Sequence, residues 1–141
     1  MKIDYYLSLA SPYAYLGHMR LQALVAKYEV HVNFVPADMR IVFAKTGGLP
    51  LAKRSKSRKE YRFMELSRWS RHLSVPINLE PKFFPVEEWP AAGMVILAQQ
   101  RAINPMSLAY SILSAVWKYD QDISNPETLI EIAEDNGLNG A

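Results

Sequence analysis

Residues 2–36 read KIDYYLSLASPYAYLGHMRLQALVAKYEVHVNFVP, and this stretch decides the fold. Its first segment, residues 2–9, is rich in Tyr, Leu and Ile with polar interruptions, which is typical of a strand. Residues 30–36 alternate apolar and polar side chains before a proline and predict a second strand. A strand, a helix and a strand over so short a stretch form a βαβ unit, so we expect the two strands to be parallel.

The helix between these strands has a clear start. Ser11 is followed by Pro12, which predicts an N-cap serine with proline at the first helical position. The apolar face of the predicted helix is formed by Leu21, Leu24, Val25 and Tyr28. The Ser11 hydroxyl is then expected among free backbone N–H groups, where the helix dipole stabilises an anion by a few tenths to about 2 kcal/mol. That position suits a thiolate or carboxylate of a ligand, although helix capping alone also accounts for a serine there.

After the second strand the chain is predicted to be helical, apart from one basic loop. Residues 37–57 contain Gly47-Gly48 and are expected to form a long functional loop with a short helix. The predicted helices span residues 58–73, residues 87–102, a segment starting at Asn104-Pro105, and a segment from residue 126 to Gly137. The predicted domains are residues 1–37, the βαβ half, and residues 38–141, a helical subdomain with its connecting loop.

A sheet of two parallel strands is not a stable unit by itself, because both of its faces and both of its edges stay open. We therefore expect something further to complete it. Pairing with a second copy in a homodimer is the favoured expectation. The alternatives are that this chain is a fragment of a longer product, or that the chain is poorly ordered around the sheet.

The composition excludes several functional classes. The chain has no cysteine, so a disulfide scaffold, a CxxC redox pair and a protein thiol nucleophile are excluded. Its three histidines are scattered, and we predict no metal site. The apolar runs are far shorter than the roughly 18 residues of a membrane span. Asp4 interrupts the positive region of a signal peptide, so we expect a cytoplasmic protein without a membrane partner.

The net charge of +2 hides an uneven distribution. Residues 40–72 carry ten Lys and Arg side chains against two Glu, whereas residues 118–141 are mainly acidic. An anionic ligand is expected near the basic segment, although a solvated helix face has the same composition. The basic segment lacks interleaved aromatic residues and matches no nucleic-acid-binding motif, so no nucleic-acid partner is expected.

An ordered series of short motifs resembles one family. Asp4-Tyr5-Tyr6 followed by SPYAYLG at residues 11–17 resembles the opening of the 2-hydroxychromene-2-carboxylate isomerases, which group with the kappa-class glutathione transferases and with DsbA. The resemblance continues in order through Asp38, Gly47-Gly48, Lys53-Arg54, Tyr61, Arg68-Trp69, Val75-Pro76, Phe84-Pro85, Ala115-Val116-Trp117 and Asp122-Ile123-Ser124. It implies an α/β, thioredoxin-like fold in which an all-helical subdomain is inserted after the βαβ unit, and in which the family's C-terminal ββα part is absent.

The resemblance also implies a function, that of a glutathione-dependent cis–trans isomerase of small aromatic anions such as 2-hydroxychromene-2-carboxylate. In that family the serine at the position of Ser11 hydrogen-bonds the glutathione sulfur and favours its thiolate. The reactive sulfur would come from the cofactor, in agreement with the absence of cysteine. The resemblance implies a catalytic role for Ser11, glutathione binding by Ser11, Pro12, Tyr13, Gly48, Arg58 and Lys59, and substrate binding by Lys53, Arg54 and Phe84.

The sequence departs from the family pattern at three positions, which leaves the substrate open. Gly48 stands where Asn is frequent, Phe43 stands where a substrate-contacting Lys is found, and Phe84 replaces a Tyr of some members. A kappa-like glutathione transferase acting on aromatic electrophiles is the alternative enzyme. A truncated remnant without enzymatic activity is a further alternative.

Other conspicuous side chains have structural explanations. Trp69, Trp89 and Trp117 lie at helical spacing among apolar neighbours and are predicted to be core residues. Asp38 is predicted to be a loop or cap residue. Tyr13 is expected to pack rather than to catalyse, and it faces the site if Ser11 does.

Overall fold

The computed structural model describes residues 1–139 and begins with the predicted βαβ unit. Strand β1 spans Lys2–Leu7, helix α1 spans Pro12–Tyr28, and strand β2 spans His31–Pro36. The two strands are parallel, with a register that runs from Lys2 opposite His31 to Leu7 opposite Pro36. The βαβ prediction is therefore confirmed, and the first strand ends two residues earlier than the sequence pattern indicated.

The described elements that follow β2 are all helical. The bounds are α2 Met39–Thr46, a short 3-10 turn Leu51–Lys53, α3 Lys56–Leu73, α4 Trp89–Gln100, α5 Pro105–Trp117 and α6 Pro126–Asp135. Side-chain caps start several of them, as the sequence indicated: Asn104 accepts from the backbone N–H groups of Met106 and Ser107, and Asn125 accepts from that of Glu127. The basic loop is more ordered than predicted, because Asp38 caps α2 and Gly47 ends it with φ 73°.

Helix α5 forms the centre of the core. Its fully buried Leu108, Ile112, Leu113 and Trp117 are surrounded by α1, α4 and α6. Nine of the thirteen residues of this helix are buried, so its apolar face is wide. Burying each such aliphatic side chain stabilises the fold by about 1.5–3 kcal/mol, so α5 holds the helical segments against the βαβ unit.

The prediction that three tryptophans lie in the core is right for one of them. Trp117 is fully buried, whereas Trp69 is 43% exposed and Trp89 is 46% exposed. Leu66 takes the buried position on α3, and Trp69, three residues later, lies on the outer side with its ring edge-on to His72. Trp89 is the first residue of α4 and lines an open cleft, which leaves its side chain partly in solvent.

The apolar face predicted for α1 is also only partly covered. Leu21 and Val25 pack against the core, but Leu24 and Tyr28 are exposed. The sheet beneath the helix has two strands among the described residues, so it shields only one side of α1.

The outer edge of β2 is closed by a side chain of α4. Gln99 Oε1 accepts the Phe34 backbone N–H at 2.7 Å, and Gln99 Nε2 donates to the Phe34 carbonyl at 3.3 Å. Gln99 Nε2 also donates to Asn33 Oδ1 at 3.0 Å. The amide therefore takes the place of a neighbouring strand. None of the helices in the described part of the chain is both long and apolar enough to cross a membrane.

Candidate functional site

Ser11 lies where β1 passes into α1. Its backbone is extended, with φ −83° and ψ 125°, and its Oγ accepts the Ala14 backbone N–H at 3.2 Å. Pro12 occupies the first helical position and is buried. Within residues 1–139 the Ser11 hydroxyl donates to no acceptor. Its hydrogen is therefore free for a ligand atom at the positive end of the α1 dipole.

The turn before Ser11 is held by a distant carboxylate, that of Glu88. Its two oxygens accept the Ser8 hydroxyl at 3.0 and 2.9 Å, and its Oε2 also accepts the Ala10 backbone N–H at 3.0 Å. Burial raises the pKa of Glu88, while the hydrogen bonds from this turn act in the opposite direction. Glu88 thus fixes the backbone that leads into the Ser11 cap.

A largely apolar cleft opens beside this turn. We call it the aromatic cleft, and its volume is about 180 Å³. Three segments line it: Ala10, the stretch from Pro36 to Arg40, and the stretch from Phe84 to Trp89 with Ala92. At its rim Arg40 pairs with Asp38 at 3.0 Å and with Glu87 at 3.1 Å. The Asp38–Arg40 hydrogen bond lowers the pKa of Asp38, which keeps the α2 cap ionised.

A second cleft, whose wall includes Tyr13 of the first turn of α1, is cationic. We call it the arginine cleft, and its volume is about 320 Å³. It is lined by Tyr13, Arg54, Ser57, Arg58, Tyr61 and Arg62. Ala10 lines the aromatic cleft and Tyr13 lines the arginine cleft, so Ser11 and Pro12 occupy the chain between the two. A small molecule with an apolar ring and an anionic group finds both kinds of surface near Ser11.

The structure gathers some of the residues implied by the sequence and leaves others apart. Tyr13, Arg54 and Arg58 line the arginine cleft, and Phe84 lines the aromatic cleft. The remaining five line neither cleft. Ser11 and Pro12 form the start of α1. Lys53 is exposed, Lys59 Nζ donates to the Ala52 carbonyl at 3.0 Å, and Gly48 packs against the Phe43 ring. A Cβ on Gly48 would meet that ring at 2.5 Å, so this glycine allows a close approach within the loop.

Sequence reasoning did not single out Arg62, which the structure places between the two clefts. Arg62 is 8% exposed. Its guanidinium carbon lies 5.4 Å from the centre of the Phe84 ring and 5.8 Å from the centre of the Trp117 ring. Burial lowers the pKa of Arg62, and the neighbouring Arg54 charge acts in the same direction. The ten cations of residues 40–72 are alike in sequence, and only packing distinguishes this one.

Comparison with known proteins shows which fold and which relatives this chain resembles. The family model of the DSBA-like thioredoxin domain matches residues 2–141. A 2-hydroxychromene-2-carboxylate isomerase from Sphingobium xenophagum is 26% identical over 137 residues, which cover 96% of this chain and 68% of the relative.

Solved structures give the same result for the architecture. A 2-hydroxychromene-2-carboxylate isomerase superposes with a TM-score of 0.75 at 21% identity, covering 99% of this chain and 68% of that one. A probable DsbA oxidoreductase from Streptomyces coelicolor superposes with a TM-score of 0.71 at 16% identity, covering 99% and 64%. The chain thus spans about two thirds of the length of these proteins, and the thioredoxin-like, DsbA-type fold expected from the sequence is confirmed.

Proposed function

Because the chain belongs to the DSBA-like thioredoxin domain family, we propose that it is a glutathione-dependent isomerase of small aromatic anions resembling 2-hydroxychromene-2-carboxylate. Its sequence similarity to a 2-hydroxychromene-2-carboxylate isomerase supports this reaction class. In the proposal Ser11 is the catalytic residue, and the aromatic and arginine clefts receive the ring and the anionic groups of the ligands.

The observation that carries the proposal is the Ser11 hydroxyl at the start of α1, in a chain without cysteine. Disulfide exchange needs a protein thiolate, which this chain does not contain. A helix N-terminus and a free hydroxyl hydrogen both favour a thiolate over a thiol, so the site fits the sulfur of a bound cofactor. When bound, glutathione would supply a thiolate able to add to an electron-poor double bond and to leave after rotation about the resulting single bond.

The protein's own residues would bind and orient the reactants. Ser11 would donate to the sulfur, and Glu88 would hold the Ser8–Ala10 turn so that the hydroxyl keeps its position. The aromatic cleft, with Phe84 and Trp89 at its wall, would exclude water from the ring of the substrate. Arg54 and Arg58 would face carboxylates of the two ligands, for which a guanidinium is suited.

The proposal extends to location and assembly. Reduced glutathione is abundant in the cytoplasm, so a glutathione-dependent enzyme is expected to act there. We also propose that the chain works as a homodimer, because β1 has a free edge among the described residues.

The test of the proposed function is the variant Ser11→Ala. A hydrogen bond to a charged group contributes about 1.5–3 kcal/mol, so kcat/KM for isomerisation in the presence of glutathione should fall by about tenfold or more. Isomerisation of a 2-hydroxychromene-2-carboxylate substrate is followed by absorbance with and without glutathione. Asn125→Ala is the matched control, since it removes the N-cap of α6 far from the site and should leave kcat/KM unchanged.

Two results would contradict the proposal: isomerisation that needs no glutathione, or equal activity of the Ser11→Ala variant and the wild-type chain. Accumulation of a stable glutathione conjugate in place of an isomer would instead favour the kappa-like transferase.

A further inference from the structure

Arg62 is a largely buried residue whose guanidinium has no counterion in the described part of the chain. The residue is 8% exposed and lies in the middle of α3, with its side chain at the wall of the arginine cleft. No hydrogen bond or ion pair joins its guanidinium to another residue of the described 1–139. Burial of most of the residue reduces the hydration of this charge, which is unfavourable without a partner, and the cleft leaves the guanidinium accessible to a ligand.

The neighbouring side chains compensate only part of that cost. The Phe84 and Trp117 rings lie beside the guanidinium and stabilise it through cation–π contacts. The five N–H groups of arginine lie in the plane of the guanidinium. A cation–π contact with a ring face does not give these N–H groups a hydrogen-bond acceptor. The acidic residue near this cleft, Glu65, already accepts the Tyr61 hydroxyl at 3.1 Å. The N–H groups of Arg62 therefore have no acceptor among residues 1–139, and they are open to a ligand that enters the cleft.

The groups around Arg62 have the chemistry of an anion site. Arg58 lies one helical turn before Arg62 on α3, so the two side chains share a face, and Arg54 lines the same cleft. Arg54 is partly fixed by donation from its Nε to the Leu49 carbonyl at 2.8 Å. Tyr13, which follows Ser11 by two residues, contributes a hydroxyl to the wall. Three cations and two tyrosines thus converge on one cleft beside the α1 N-terminus.

We propose that Arg62 is the anchor of a carboxylate-binding site. Its guanidinium binds the carboxylate of a small aromatic anion, and Arg58 and Arg54 add positive charge around that carboxylate. Planar carboxylates match a guanidinium through two parallel hydrogen bonds. The Phe84 ring lines the aromatic cleft and its centre lies 5.4 Å from the Arg62 guanidinium carbon, so apolar surface adjoins the proposed anion site. The identification of this anion as the substrate rests on the proposed function; the binding site itself does not.

The experiment is an NMR titration of the whole chain with benzoate, without glutathione, with benzyl alcohol as the neutral analogue. Wild-type protein should bind benzoate saturably and more tightly than benzyl alcohol. Arg62→Met keeps most of the apolar stem and should weaken benzoate binding about tenfold or more, without changing benzyl alcohol binding. Arg58→Leu should weaken it by a smaller factor. Arg71→Leu, an exposed position on the same helix and outside both clefts, is the control and should bind as wild type.

Unchanged benzoate affinity in Arg62→Met, or no saturable benzoate binding by the wild type, would overturn the site. Preference for inorganic phosphate over benzoate would overturn the carboxylate assignment. If Arg62→Met does not fold, Arg62→Lys keeps the charge without the fork, and it must still lose affinity for benzoate. A wild type that binds benzoate but shows no glutathione-dependent turnover would refute the proposed function while this site stands.

Discussion

At the scale of single residues, Glu88 makes stability depend on pH. Burial raises its pKa in the folded state, so the folded chain holds this proton more tightly than the unfolded chain, whose Glu titrates near 4.3. Stability contributed by the protonated form is present below about pH 4.3 and is lost as pH rises through the higher folded pKa. The Glu88→Gln variant has no titratable group at this position, so its stability does not change with pH for this reason.

We therefore predict that the free energy of unfolding of the wild type falls relative to Glu88→Gln as pH rises from 4 towards neutrality. The slope should be a fraction of the limiting value of about 1.4 kcal/mol per pH unit, because the carboxyl keeps some contact with water. Urea unfolding at a series of pH values measures it. Glu87→Gln, exposed on the same segment, is the control. A difference between wild type and Glu88→Gln that does not vary with pH would contradict the assignment.

The roles of some of these residues could be predicted from the sequence, and the roles of others could not. Ser11 was predicted because a cap is local: a serine before a proline at the start of an apolar helix leaves few alternatives. Glu88 was missed because its partners, Ser8 and Ala10, are about eighty residues away in the chain. Arg62 was missed because its burial depends on Phe84 and Trp117, which reach it only in the folded chain.

At the scale of elements, Gln99 joins α4 to β2. Its amide pairs with both backbone groups of Phe34, so the edge is satisfied at this position without a further strand. Gln99→Leu should lower the free energy of unfolding by about 1–2 kcal/mol, because the backbone groups at a partly buried edge lose their partner.

Hydrogen exchange of the Phe34 amide should accelerate in the same variant, and the protein should aggregate more readily as the edge opens. Gln100→Leu, the exposed neighbouring position, is the control for the added apolar side chain. If the Phe34 amide exchanges equally slowly in Gln99→Leu, the side chain does not close the edge.

The buried face of a helix was predicted well where the apolar periodicity is strong. It was predicted poorly where burial depends on which other elements pack against the helix. Helix α5 is apolar on a wide face and is surrounded on all of it, so pattern and burial agree. Trp69 and Trp89 follow the same pattern, but what covers a helix face is set by the other elements, and here these faces meet solvent or a cleft. The short helix predicted within residues 37–57 is α2, and its bounds depend on two local signals, the Asp38 cap and the left-handed Gly47.

At the scale of the whole molecule, the two edges of the sheet are unequal. Gln99 satisfies the β2 edge, whereas no strand pairs with the other side of β1 in the part of the chain that the structure describes. Tyr6 on β1 is 69% exposed and adds apolar surface to this side. Antiparallel pairing of β1 with β1 of a second copy would extend the sheet to four strands through a two-fold axis, which is the symmetry of most homodimers.

We accordingly predict a sedimentation mass twice the 16.1 kDa of the chain at micromolar concentration, with the β1 amides protected from exchange. A lysine on an edge strand opposes pairing, so Tyr6→Lys should shift the equilibrium towards the 16.1 kDa species. Tyr28→Lys is the matched control, since Tyr28 is also exposed but ends α1 away from the β1 edge, and it should leave the mass unchanged. A mass of 16.1 kDa at every concentration, with β1 amides that exchange slowly all the same, would contradict pairing through this edge, because the strand would then be stable without a partner.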